Sequence, residues 1–89
     1  MSKRLLLEKI KKLIHDWAAQ YPKVELAYVE VYHSGIADNI HVIVVASQGF
    51  ENWESTDREN DLYWFLRKAL GDEYIVKIYV LRTMTEEEY

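Results

Sequence analysis

Residues 24–47, VELAYVEVYHSGIADNIHVIVVAS, decide the fold. Val24 to His33 is rich in β-branched and aromatic side chains (Val24, Tyr28, Val29, Val31, Tyr32), the composition of a strand. Its alternation changes phase. Leu26 and Tyr28 favour one face, Val29 and Val31 the other, and a β-bulge near Ala27 reconciles the two. Ser34 to Asn39 carries the turn-forming residues, and Asn39 to Ser47 is the next strand. So short a connection predicts an antiparallel hairpin. Val42-Ile43-Val44-Val45 is apolar in both phases, as expected of a strand covered on two sides.

A helical pattern lies on either side of the hairpin. Upstream, Leu6, Ile10, Leu13, Ile14, Trp17 and Tyr21 recur at three- and four-residue steps, which predicts a helix over about residues 3–20. Pro22 ends it, because the residue before a proline is driven out of the helical region. Downstream, Gln48 to Ser55 is a loop, and Thr56 with Glu59 matches a capping box at the start of a second helix. Leu62, Phe65, Leu66, Ala69 and Leu70 form its buried stripe, and Gly71 is placed to act as a left-handed C-terminal cap. Tyr74 to Arg82 is the third strand. In the acidic tail, Thr85-Glu86-Glu87-Glu88 has the makings of a last helical turn. The expected fold is α+β, a two-layer sandwich of order αββαβ, with two helices on one face of a three-stranded sheet.

That architecture leaves one sheet face open. The valines of the second strand and the tyrosines at 28, 32 and 79 exceed what two helices cover, and surplus apolar surface of this kind marks a dimer or a partner. Eighty-nine residues allow one domain. The chain has no cysteine, which excludes disulfides, thiolate zinc sites, a cysteine nucleophile and a cysteine-held iron–sulfur cluster, and favours an intracellular, cytoplasmic location. No signal peptide is visible: only three apolar residues separate Arg4 from Glu8.

Residues 1–23 carry a net charge of +4 and residues 24–89 a net charge of −8. An acidic body disfavours a dedicated nucleic-acid binder. An RNA-binding alternative rests on Lys9, Lys11 and Lys12 of the first helix together with the sheet tyrosines. A metal-dependent alternative rests on His33 and His41, expected to face each other across the hairpin, with nearby acids; no metal motif matches, and neither a metal nor a cofactor is expected. The acids Glu51, Glu54, Asp57, Glu59 and Asp61 are explained by capping and the helix dipole, so no catalytic residue is assigned. Among the aromatics, Trp17 belongs to the helix stripe, whereas Trp53 and Trp64 lie off the stripes and are the better contact candidates.

The stretch from the second strand into the second helix resembles the BolA family. Ser47, Phe50 and Glu51 match a serine followed by Phe-acidic, with Asn52 where glycine is usual. Arg58 matches the first residue of the Arg-His-Arg triplet, whose other two positions are Glu59 and Asn60 here; Tyr63 and Leu66 match the helix that follows. The ending Leu81-Arg82-Thr83-Met84-Thr85-Glu86-Glu87-Glu88-Tyr89 is similar to the family ending, with Glu86 in place of proline. The resemblance implies a KH-like sheet with helices on one face, and a monothiol glutaredoxin as partner. The family's cluster-ligating histidine near the start of the last strand has no counterpart in Tyr74 to Ile78. The combined expectation is a non-enzymatic module that binds a protein or forms a homodimer, with Phe50, Trp53, Arg58, Tyr63 and Trp64 as contact residues.

Overall fold

A computed structural model describes residues 1–89. It contains α1 (Lys3–Ala18), β1 (Glu25–His33), β2 (Ile40–Gln48), α2 (Ser55–Leu70), a single helical turn α3 (Asp72–Ile75) and β3 (Ile78–Thr85). The fold is the expected α+β sandwich. Both long helices pack on one face of a three-stranded sheet of order β1-β2-β3. β1 and β2 are antiparallel; β2 and β3 are parallel, a pairing that needs the long crossover supplied by residues 49–77. No helix is long and apolar enough to cross a membrane.

The bulge falls where the phase change puts it. Leu26 pairs with Ala46 and Tyr28 with Val45, leaving Ala27 over. Leu26, Val29 and Val31 thereby share the helix-covered face, while Tyr28 turns to the other. Glu25 pairs with Gln48 and Leu26 with Ala46, leaving Ser47 over, and a further irregularity lies in β3, where Ile78 pairs with Ile40 and Val80 with His41, leaving Tyr79 over. Every second residue of β2, Ile40, Val42, Val44 and Ala46, is buried beneath Leu6, Ile10, Ile14 and Trp17 of α1 and Leu62 and Leu66 of α2.

Three local expectations are corrected. β3 begins at Ile78, not Tyr74, because Asp72–Ile75 form a helical turn that buries Ile75 against the core. Gly71 does take a positive φ of 85°, but its ψ of 167° is extended, outside the left-handed helical region, so the chain is thrown directly into α3. The capping box at Thr56 is absent: Glu54 holds the N-cap position of α2 and no side chain caps it. The carboxylate of Glu59 instead accepts from the Thr83 backbone N–H at 2.8 Å and from its hydroxyl at 3.2 Å. The same Thr-x-x-Glu signature works at the C-terminus. The Thr85 hydroxyl accepts from the Glu88 N–H at 3.2 Å, and Glu88 accepts from the Thr85 N–H at 2.8 Å.

The join between β2 and the loop that follows depends on Gly49. Its φ is 97°, and a Cβ there would lie 2.5 Å from both the Lys23 carbonyl oxygen and the Val24 Cα. Gly49→Ala is therefore expected to destabilise the fold by about 2 to 4 kcal/mol, combining backbone strain with a backbone clash. Gly35→Ala shares the positive φ but meets nothing within 4 Å, and should cost only about 1 kcal/mol. Urea denaturation of the two variants checks the contrast.

Candidate functional site

The five contact residues expected from sequence divide into two buried ones, Phe50 and Arg58, two half-buried ones, Trp53 and Tyr63, and one exposed one, Trp64. Phe50 is 1% exposed and Arg58 3% exposed, so neither offers a contact surface. Arg58 lies one turn before Leu62 and two before Leu66, on the buried side of α2. Its guanidinium sits 4.7 Å from the Phe50 ring centre. It donates to the Phe50 carbonyl at 3.1 Å, the Trp53 carbonyl, the Thr83 hydroxyl at 3.0 Å and the Thr83 carbonyl at 2.9 Å. It also meets Glu88 at 3.3 Å. A planar fork with five donors can satisfy the crossover loop, β3 and the tail at once. Sequence reading missed this role: the four-residue step from Arg58 to Leu62 to Leu66 puts Arg58 in line with the buried stripe, but does not say whether so long a side chain turns in or out.

Trp53 is half-buried. Its ring lies 5.0 Å from Tyr21, 5.9 Å from Trp17 and 6.1 Å from Phe50. Behind it, Trp17 donates through its indole N–H to Asp61 at 2.9 Å, and the Tyr21 hydroxyl donates to the same carboxylate. Tyr21, Pro22, Val24, Gly49 and Trp53 border an apolar cleft of about 310 Å³. Trp64 points the other way, roughly 200° around the helix from Leu62. It is 54% exposed, with Tyr63 at 5.7 Å and the Arg67 guanidinium 4.9 Å over its ring. Trp53 and Trp64 thus belong to separate surfaces.

The larger candidate site is the sheet face without helices. Its cross-strand rows are Tyr32–His41–Val80, Glu30–Ile43–Arg82 and Tyr28–Val45–Met84. Tyr79 joins the first row, stacked on His41 at 6.5 Å and 72% exposed. The third row is partly roofed: Tyr89 packs on Tyr28 at 5.7 Å, and Val45 is buried. The tail therefore shields one end of the face and leaves the other open. The Tyr28 hydroxyl donates to Glu30, a bond that pushes its pKa up to about 12. Period-two alternation along β1 already aligns Tyr28, Glu30 and Tyr32; the bulge at Tyr79 left no comparable signal.

The two other constellations are rearranged. His33 pairs with Ile40 and His41 with Tyr32, so adjacent register positions send the imidazoles to opposite faces and they do not meet. His41 Nδ1 lies 3.3 Å from the Tyr32 hydroxyl, whereas both His33 ring nitrogens are buried without a protein partner. No three His, Asp or Glu side chains converge on a metal-sized site. Lys9, Lys11 and Lys12 are exposed, Lys12 pairing with Asp16 at 3.0 Å. α1 covers the helix face of the sheet, so these lysines and the tyrosines lie on opposite sides of the domain. Tyr74 to Ile78 carries no imidazole, and Lys77 holds its ammonium 5.6 Å from the Tyr74 ring; these side chains do not fit as ligands of an iron–sulfur cluster.

Two outcomes follow from the polar interior. Arg58→Ala should lose about 3 to 5 kcal/mol in denaturant unfolding, because buried carbonyls lose their donor. Arg58→Lys should still lose about 2 kcal/mol, since an ammonium cannot span the same acceptors; unchanged stability would contradict the interior role. The hydrogen bond to Asp61 raises the Tyr21 pKa to about 12 from an unfolded value of 10.0. The folded state thus holds the proton that the unfolded chain loses first. That contribution is complete below pH 10 and is lost as the pH rises towards 12. Stability of the native chain should fall more steeply across that window than stability of the Tyr21→Phe, Tyr28→Phe double variant, followed by urea titration at each pH.

No protein family model, curated protein or solved structure matches the chain.

Proposed function

We propose that this protein is a non-enzymatic interaction module that binds a protein surface, another copy of itself included, through the helix-free face of its sheet. The observation that carries the reading is the exposed pair Tyr32 and Tyr79, with half-buried Ile43 and Val80 beside them around His41, and Tyr28 and Tyr89 at the far end. Tyrosines of this kind supply large contact areas at low entropic cost and are enriched at interfaces. Four acids of the second half of the chain are engaged structurally. Glu59 is bound to Thr83, Asp61 to Trp17 and Tyr21, Glu88 to Thr85 and Arg58, and Glu51 accepts from the Gly49 N–H at 2.7 Å.

A divergent BolA-like regulatory protein fits this reading, with the action placed in the cytoplasm in keeping with a cysteine-free chain. A monothiol glutaredoxin is then a partner to look for, bound without help from a cluster-ligating histidine. The RNA-binding alternative is weaker, because its lysines and its stacking tyrosines are separated by the thickness of the sheet.

Affinity capture from native lysate, with and without nuclease, tests the reading. Specific proteins should survive nuclease and should fall at least about tenfold with Tyr79→Ala or Tyr32→Ala as bait. Trp64→Ala should leave them unchanged. Loss on nuclease treatment, or a loss confined to Trp64→Ala, would overturn the sheet-face assignment.

A further inference from the structure

The charges of the open face are arranged to select its occupant. Glu30 and Arg82 flank Ile43 in the same cross-strand row, one on each edge strand, each a strand spacing of about 4.8 Å from the centre. They are the row's only charged members and carry opposite signs. Neither forms an ion pair within the chain, although every other feature of the row is ordinary for a half-buried sheet. Glu30 accepts only from the neighbouring Tyr28 hydroxyl.

We infer that the occupant is a second copy of this chain, packed face to face about a two-fold axis that lies between the sheets and runs along β2. The inference rests on the reading of this face as an interaction surface and gives it one partner. A two-fold axis relating stacked sheets must lie in the plane between them, because it has to exchange the two layers. Directed along β2, it exchanges the edge strands. Ile43 then meets its own copy, Glu30 lies over Arg82 of the other copy, and Arg82 lies over that copy's Glu30. Tyr32 and Val80 oppose each other in the same way, and His41 meets His41 beside the exposed Tyr79 rings. Directed across the strands, the axis would set Glu30 over Glu30 and Arg82 over Arg82, so like charges exclude it. An isologous contact needs a self-complementary patch, and this row is one. Sheets aligned within about 30° of each other pack in this manner when twisted.

The size of the face sets the strength. Three strands of eight or nine residues present roughly 26 by 14 Å, about 360 Å² a side and below the size of a standard stable interface, so the dimer is a weak one, micromolar or weaker. The Tyr28–Tyr89 contact over Val45 forms one rim, and the Tyr79 bulge forms the other.

Sedimentation of the full chain over about a hundredfold range of concentration, centred on the micromolar, tests this. The native chain should pass from monomer to dimer. Glu30→Arg or Arg82→Glu alone should weaken the dimer by roughly tenfold or more, since each sets two like-charged pairs across the interface. The double reversal Glu30→Arg, Arg82→Glu should return affinity to within about threefold of the native chain, which shows that the singles fold. An equimolar mixture of the two single variants should form a heterodimer, because every cross pair is then opposite in sign. Single reversals that leave the dimer intact would overturn the axis and the inference with it. A native chain that stays monomeric, or that assembles only when a single-stranded uridine oligonucleotide is added, would overturn the second copy as occupant. The sheet-face reading would survive that result if nuclease-resistant capture is still lost with Tyr79→Ala, and would fall if it is not.

Discussion

The guanidinium of Arg58 is the point on which the second half of the fold depends. Two carbonyls of the loop after β2, the hydroxyl and carbonyl of Thr83 in β3, and the Glu88 carboxylate of the tail all meet it. A buried cation of this kind is tolerated only when its donors are matched and a counter-charge is near. Here the matching partners come from three segments, the loop after β2, β3 and the tail. The loop must bend so that Phe50 and Trp53 offer their carbonyls, and β3 must lie in register for Thr83 to reach. The Phe50 ring under the guanidinium completes the enclosure. Holding these segments also positions Trp53 over Trp17 and Tyr21, which ties the loop to the first helix.

The capping signatures show how such a site overrides local preference. Thr56 with Glu59 and Thr85 with Glu88 have the same spacing, yet only the second forms the reciprocal pair. Glu59 faces β3, whose Thr83 N–H is turned toward α2 and would otherwise be half-buried without an acceptor. The tertiary hydrogen bond at 2.8 Å wins. Glu88 has no strand beside it and caps its own turn, where the Thr85 backbone N–H holds its carboxyl below the ordinary carboxylate range, and it adds the contact with Arg58. The tail held there carries Tyr89 round to Tyr28 on the far side of the sheet, so the Arg58 cluster also shapes the open face.

The two faces of the sheet divide the labour. One face is buried by the helices and supplies the core; the other carries tyrosines, a histidine and one pair of opposite charges on a nearly apolar ground. Much of this was legible in the residues. The alternation of β1 aligns Tyr28, Glu30 and Tyr32, whereas the apolar run of β2, which suggests cover on both sides, has helices over one face only. The contact role expected of Phe50 and Arg58 was not, because an aromatic and an arginine beside a turn look the same in sequence whether they point out or in. The burial of Arg58 is decided by β3 and the tail, which are 25 to 30 residues away along the chain, and Phe50 is enclosed with it against Trp17.

The sequence by itself determined the element order, the hairpin, the Ala27 bulge and the buried stripe of α1. Each depends on local periodicity and turn chemistry, and local periodicity survives without tertiary context. Only the tertiary structure decided where β3 starts, which Thr-x-x-Glu pair caps a turn, and that Arg58 is interior. It also decided that His33 and His41 lie on opposite sides, since a one-residue difference in register reverses the direction of a side chain. These choices are competitions between a local partner and a distant one for the same polar group. The distant partner prevails when it also removes that group from an unsatisfied, buried position.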